Sequence, residues 1–469
     1  MTTPTPSFAA SLPPLERAVV QFLLDFDRNA IDPASMAAAQ ALLKDQLAVQ
    51  VGASQLPWSR DVRRFLRKPR PGAATVVAEA ATMDAADAAY LNATYGHGFE
   101  YDDVAGNAHP GCCVVPVALA VGEELGASLG QVVEAMVAGY EVYVRLERLA
   151  APELVNMGWH PHAVMANFGA AAVAAKLHGL DLQTTQHALA IAFSHASGST
   201  EFTATGGSIK RAHAGIAVRN GIESVELART GITGPTHYLS GRKGFYRTFI
   251  RREAAADAPA VFAPGAPLRI GGTWFKAYCC CGAHHAYVDA MAQVRGHAAE
   301  IEQVDARIQA MTANLAGSPD AQQRGPRNIE ELQFSLPLQM ALSALGLGNG
   351  YATHMAWMQG SLPLDADSEV VRLARRIRLQ HSPELDQRHP RSFVGDVTVH
   401  LRDGTRRDIF VDCAKGMPGN PFTVQEHRAK LDELTHGVIG AANAERLFNL
   451  IDRLDADQPV RELTALLRG

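Results

Sequence analysis

GGSIKRAHAGIAVRNGIESVELAR, residues 206–229, joins a glycine-rich loop to a run with apolar residues at spacings of three and four. That period is the mark of a packed helix, expected here over 212–229. The same pattern fills the chain before it, over 15–27, 34–49, 80–94, 114–125, 129–150, 163–178 and 182–197. Alanine and glycine recur where such helices would meet, which allows close approach. Character changes near residue 265, at the breaker cluster Pro264-Gly265-Ala266-Pro267. Beyond it, β-branched alternation predicts strands over 306–312 and 394–401. A hairpin is expected from 397–401 to 406–413 through Arg402-Asp403-Gly404-Thr405. Helical periodicity returns from Thr423. The chain therefore reads as mainly α, with a helical domain made of residues 1–265 and 418–469 and an inserted α+β domain at 266–417.

The chain has 469 residues, 47% hydrophobic and 19% charged, with a net charge of −5. No basic tract interleaved with aromatics is present, which argues against a nucleic-acid partner. No apolar run reaches the roughly 18 residues needed to span a bilayer. Residues 1–14 are polar and proline-rich without a leader pattern, so a soluble cytoplasmic protein is expected. Six cysteines, Cys112, Cys113, Cys279, Cys280, Cys281 and Cys413, form no C-x-x-C pair. Disulfide frameworks and zinc ribbons are disfavoured, and reduced, mostly buried thiols are expected.

Four clusters could carry chemistry. At the head of the 212–229 helix, Lys210, Arg211 and His213 add donors to a helix start that already attracts anions, which suits a carboxylate or phosphate. An ordinary capped helix with a solvated basic turn is the plain alternative. His97, Glu100, Asp102, Asp103 and His109 set carboxylates beside imidazoles, as general acid–base work requires. Their spacing matches no strong metal signature, and an acidic surface loop would look the same. His160 precedes Pro161 at a helix start, where a neutral imidazole is favoured. Lys276, inside the apolar stretch ending Cys279-Cys280-Cys281, must meet an acid or a ligand, because an unpaired buried ammonium is costly. A Cys281 nucleophile served by His285 is a weaker reading than packing.

Taken together, these clusters resemble the MmgE/PrpD family, which includes 2-methylcitrate dehydratase and cis-aconitate decarboxylase. The segment from His97 to Pro110 is similar to H-A-x-D-F-D-D-T…H-P-S, and Gly158-Trp159-His160-Pro161 to G-[WF]-H-[PG]. Gly206 to Gly215 resembles G-[ST]-x-x-K-R-L-H-x-G. Gly231 to Pro235 with Gly244-Phe245-Tyr246 resembles G-x-T-G-P…G-F-Y. Lys276-Ala277-Tyr278 with Cys281 and His285 resembles K-x-Y-P-x-C-x-x-x-H, and Phe334 to Pro337 resembles F-S-L-P-Y. The resemblance implies a helical domain built from both chain ends, an inserted lid, a homodimer and a cofactor-free, metal-free site. It places Glu100, His109, His160, Lys210 and Lys276 at active-site positions with Asp103 beside them; His97, Arg211, His213, Tyr278, Cys281 and His285 are expected to bind substrate. Glu100 stands where the family has Asp, Val104 where it has Thr, and Leu338 where it has Tyr. The last two changes remove a hydroxyl and a phenol from the expected pocket.

The implied reaction is proton removal α to a carboxylate of a di- or tricarboxylate. Lys210 and Lys276 would hold the developing charge, His109 and His160 would serve as base and acid, and Glu100 and Asp103 would orient them. A hydro-lyase like 2-methylcitrate dehydratase is the first expectation. Epimerisation of an amino- or imino-substituted succinate, decarboxylation, and a silent carboxylate-binding homologue are the alternatives.

Overall fold

The computed structural model describes residues 8–388 and 393–468; residues 1–7, part of the stretch read for a leader, lie outside the described residues. The long helices of the first half follow the expected order: Pro14–Asp25, Pro33–Ala53, Ala85–His97, Gly111–Leu125, Leu129–Ala150, Pro161–Leu177, Leu182–His195 and Ile209–Arg229. Local chemistry sets their ends. Asp32 accepts from the N–H groups of Ala34 and Ser35 ahead of Pro33, and Ser128 and Gln131 cap each other reciprocally. The helix expected over 80–94 starts later, at Ala85, because Thr82–Met83 pairs with Ala74–Thr75 and Asp84 caps the helix behind it.

Pro161–Leu177 is buried on every side from Pro161 to Ala175, so it runs through the centre of the domain. Ile209–Arg229 packs against both this helix and Ala85–His97. Two glycines make that approach possible. A Cβ at Gly215 would lie 2.3 Å from Thr94 Oγ1 and 2.5 Å from the Tyr90 carbonyl oxygen, and one at Gly221 would lie 2.4 Å from Ala170 Cβ. Gly215→Ala is therefore expected to cost about 1–3 kcal/mol, the ordinary penalty of overpacking, read as a lowered urea midpoint at unchanged slope.

The second region carries a four-stranded sheet in the order Ile377–His381, Ile301–Ile308, Gly395–Leu401, Arg406–Val411. The first pair is parallel and the other two antiparallel. The hairpin sits as expected. The strand placed at 306–312 instead runs from Ile301 to Ile308, and Ala310–Asn314 turns into a short helix. Alternating burial along Gly395–Leu401 gives the sheet one covered face, against the helix His285–Ala292. Helices then resume after the sheet. Val424–Ile439, started by a Thr423–Glu426 capping box, packs on Pro33–Ala53.

A two-residue ribbon ties the regions together: Asp103–Val104 pairs antiparallel with Trp274–Phe275. No helix among the described residues is long and apolar enough to cross a membrane. All six cysteines are free, and five are buried.

Candidate active site

The short ribbon and the glycine-tight helix pair bring two distant lysines to one place. Lys210 enters from the first turn of Ile209–Arg229, while Lys276 follows the strand that pairs with Asp103–Val104. Between them stands Glu100, just past the helix Ala85–His97, held at φ +56°. A non-glycine residue in that left-handed region is uncommon and is sustained only by its surroundings. Here Lys276 Nζ donates to Glu100 Oε2 at 2.8 Å, and Lys210 forms an ion pair with Glu100 Oε1. All three side chains are almost fully buried. Burial, reinforced by nearby Lys276 and Arg211, draws the Lys210 ammonium well below its usual pKa, with Cys281 and Glu330 opposing that trend only in part.

Asp102 organises the imidazoles. Its Oδ2 accepts from His97 Nδ1 at 2.7 Å and lies 3.5 Å from His109 Nδ1, while Oδ1 lies 3.5 Å from Lys276 Nζ. Burial alone would raise its pKa, but His109, Lys276 and His97 together hold it well below the usual carboxylate range. His109 Nδ1 also donates to the Asp103 carbonyl at 2.8 Å. A carbonyl can only accept, so Nδ1 carries the proton and Nε2 keeps its lone pair. Burial brings the pKa of His109 down to about 4, leaving a neutral base at neutral pH.

His160 begins the central helix, and its Nδ1 lies 3.0 Å from Nδ1 of His213. Burial, then His213 and His162, keep His160 neutral; burial and Lys210 bring His213 down to about 4. His162, two residues on, bonds Tyr143 through Nδ1 at 2.7 Å and faces Cys112 through Nε2 at 3.6 Å. The ring centroids of His97 and His162 lie 4.5 Å apart with the planes tilted 31°. Donor atoms of His97, Cys112 and His162 lie within 4.8 Å of one another, as do those of His97, Asp102 and His109, so either set is close enough to hold a metal ion.

A cavity of about 80 Å³ opens on this group. Its walls include Glu100, His109, His160 and Lys210 from the first region, and Cys281 and Phe334 from the second.

Several expected residues stand elsewhere. The Glu100 carboxylate meets the lysines and orients no imidazole. Asp103 contributes its carbonyl to His109, while its carboxyl turns away and accepts the Gly111 N–H at 3.0 Å. Arg211 lies under the site: it stacks on Trp58 at 3.9 Å and bonds Glu330, Gln333 and the Gly98 carbonyl. Tyr278 is bonded to Asp289, and His285 packs between Trp274 and Tyr278. Burial raises the Cys281 thiol, and His285 does not bond it, so the nucleophile reading loses its base. His97 sits behind the cavity on Asp102, and His213 behind His160. Val104 packs with Trp274, Ala286 and Met417, and Leu338 lies in the buried helix Leu336–Ala344. Neither lines the cavity, so losing their hydroxyls leaves its wall unchanged.

Asp103 gives a test of its own. Burial and neighbouring Asp102 push its carboxyl up to about 8, so the folded protein holds a proton that the unfolded chain releases near the ordinary value of 3.8. Folding binds this proton, and the contribution is lost as pH rises from about 4 to about 8. Asp103→Asn keeps the acceptor for Gly111 and removes the titration. The difference in melting temperature, variant minus wild type, is expected to rise across that window.

Residues 17–257 match the MmgE/PrpD N-terminal domain, and residues 278–456 match the MmgE/PrpD C-terminal domain. The cis-aconitate decarboxylase of Mus musculus is 27% identical over 394 residues, covering 81% of this chain and 78% of that protein. A cis-aconitate decarboxylase-like protein, oryM, of Aspergillus oryzae is 26% identical, covering 92% of each chain. The cis-aconitate decarboxylase of Aspergillus terreus is 25% identical, covering 91% of this chain and 90% of its own.

Proposed function

The chain belongs to the MmgE/PrpD family, and from that membership we propose that it is a lyase acting on a di- or tricarboxylate by side-chain proton transfer at the carbon α to a carboxylate. One observation carries the reading: two lysines close on a carboxylate at the wall of a cavity that two neutral histidines also line. Ammonium groups fixed there stabilise charge developing on a substrate carboxylate without reorganising during the reaction.

The two histidines differ in a useful way. His109 is locked as a lone-pair base by the Asp103 carbonyl. His160 shares one proton with His213, so its Nε2 is a donor when Nδ1 accepts and a lone pair when Nδ1 donates. A fixed base opposite a group able to donate is what loss of water needs, since one proton leaves carbon and another meets the departing hydroxide. We therefore favour a hydro-lyase. Decarboxylation is the second reading, supported by the names of the relatives; there His160 would protonate the carbon that carbon dioxide leaves. The family resemblance adds a homodimer, which light scattering would read.

Incubation with citrate-like, aconitate-like and amino- or imino-succinate compounds separates these outcomes by proton NMR and released carbon dioxide. A new alkene without carbon dioxide supports the hydro-lyase, and carbon dioxide supports the second reading. On the reactive substrate, Lys210→Ala and His160→Ala are each expected to lower kcat by about 10²–10³-fold. Near-normal turnover in both variants ends the proposal.

A further inference from the structure

The proposed chemistry assigns His160 a proton but leaves open where that proton goes. His160 lines the active cavity and no second one, whereas His213 lines a separate pocket of about 120 Å³ and does not reach the first. The two imidazoles, Nδ1 to Nδ1 at 3.0 Å, form the partition between them. His213 retains 8% exposure. Its pocket also holds Ser197, Asn220 and Asn167, whose buried Oδ1 has no hydrogen-bond partner. Such a pocket is polar and roomy enough for water, which needs two to four partners. Gly198 fixes the arrangement: its carbonyl accepts the His160 N–H at 3.0 Å, and a Cβ there would come within 3.4 Å of the Nε2 edge of His213.

Resting on the proton-transfer reading above, we propose that His213 is a positioning residue that relays the proton of His160 between the active cavity and water in this second pocket. Before the step, His160 Nδ1–H donates to His213 Nδ1, and His213 carries its own proton on Nε2. When His160 Nε2 takes a proton from the cavity, the shared proton crosses to His213 Nδ1, and His213 Nε2 releases its proton to water. One proton enters, one leaves, and both rings end as the opposite neutral tautomer. The reverse passage loads His160 as a donor. Burial supports this, because an imidazolium trapped in the partition would be costly. The groups facing the pair are Lys210 and Phe202 beside His213, and His162, His109 and Asp102 beside His160. Lys210 disfavours a lasting cation on His213.

His213→Asn separates relay from simple support, because its amide can still donate to His160 Nδ1 but cannot pass a proton through. Its KM is expected to stay within about twofold of wild type while kcat falls about 10–100-fold, the scale of one lost proton transfer. His213→Ala is expected to recover at least about tenfold in kcat when imidazole is added. Wild-type kcat in His213→Asn, or no imidazole response in His213→Ala, overturns the relay. Nitrogen-15 spectra of the unliganded protein judge it without any substrate: the Nδ1 signals of His160 and His213 should average between protonated and bare values. One fixed tautomer on each ring would also overturn it. If no carboxylate is turned over by the wild type, the functional reading fails, and these spectra alone decide the relay.

Discussion

His109→Ala is expected to lower kcat by about 10²–10⁴-fold while leaving the fold intact, the range for loss of a positioned general base. The expectation rests on the tautomer. With Nδ1–H committed to the Asp103 carbonyl at 2.8 Å, the lone pair on Nε2 belongs to the cavity that His109 lines. The pH profile carries the same signature. Burial lowers the His109 pKa to about 4, so the base stays neutral as pH falls through the ordinary histidine range near 6.5. Its protonation then abolishes kcat/KM only below about pH 4, and that acid limb should vanish from the residual activity of the variant. An acid limb near 6.5 in the wild type would place the working base elsewhere.

Glu100→Gln is expected to have the largest effect on stability, about 3–5 kcal/mol, because it removes the shared partner of two buried ammonium groups. Gln keeps the side-chain shape and the φ +56° backbone demand, so the loss reports charge pairing and not geometry. Asp102, 3.5 Å from Lys276, offers only partial compensation. Urea unfolding should show the loss as a lower midpoint. Adding Lys276→Met to Glu100→Gln should recover more than about 1 kcal/mol, since a buried apolar residue tolerates the site better than an unpaired charge. A double variant no more stable than Glu100→Gln would show that the lysine was not burdened by the missing carboxylate.

What the sequence revealed follows the range of the forces involved. Leu129–Ala150 was legible to its ends because Ser128 and Gln131 form a local cap. The helix read at 80–94 started late because Thr82–Met83 is claimed by Ala74–Thr75, a pairing that propensity does not display. The strand Ile377–His381 was missed: its burial is confined to one end, so alternation is weak, and it is defined by parallel pairing with Ile301–Ile308.

The site shows the same division. Single clusters were visible, but their meeting depends on the two-residue ribbon Asp103–Val104 with Trp274–Phe275, too short to read in advance. Asp102 was seen within its cluster, yet Asp103 was given its role. The spacing of Glu100 and Asp102, two residues apart and both reaching Lys276, held the clue to which carboxylates share a side. His162 and its partner Tyr143 went unassigned because an i+2 histidine on an apolar helix start reads as core, and its contacts are indeed with buried side chains.

The account turns on proton transfer at carbon by His109 beside a lysine-held carboxylate. Exchange of the α-hydrogen of a bound dicarboxylate with heavy water, followed by proton NMR, measures that step without requiring loss of water or carbon dioxide. The account predicts exchange by the wild type that slows at least about a hundredfold in His109→Ala. Equal exchange by the two proteins would contradict it.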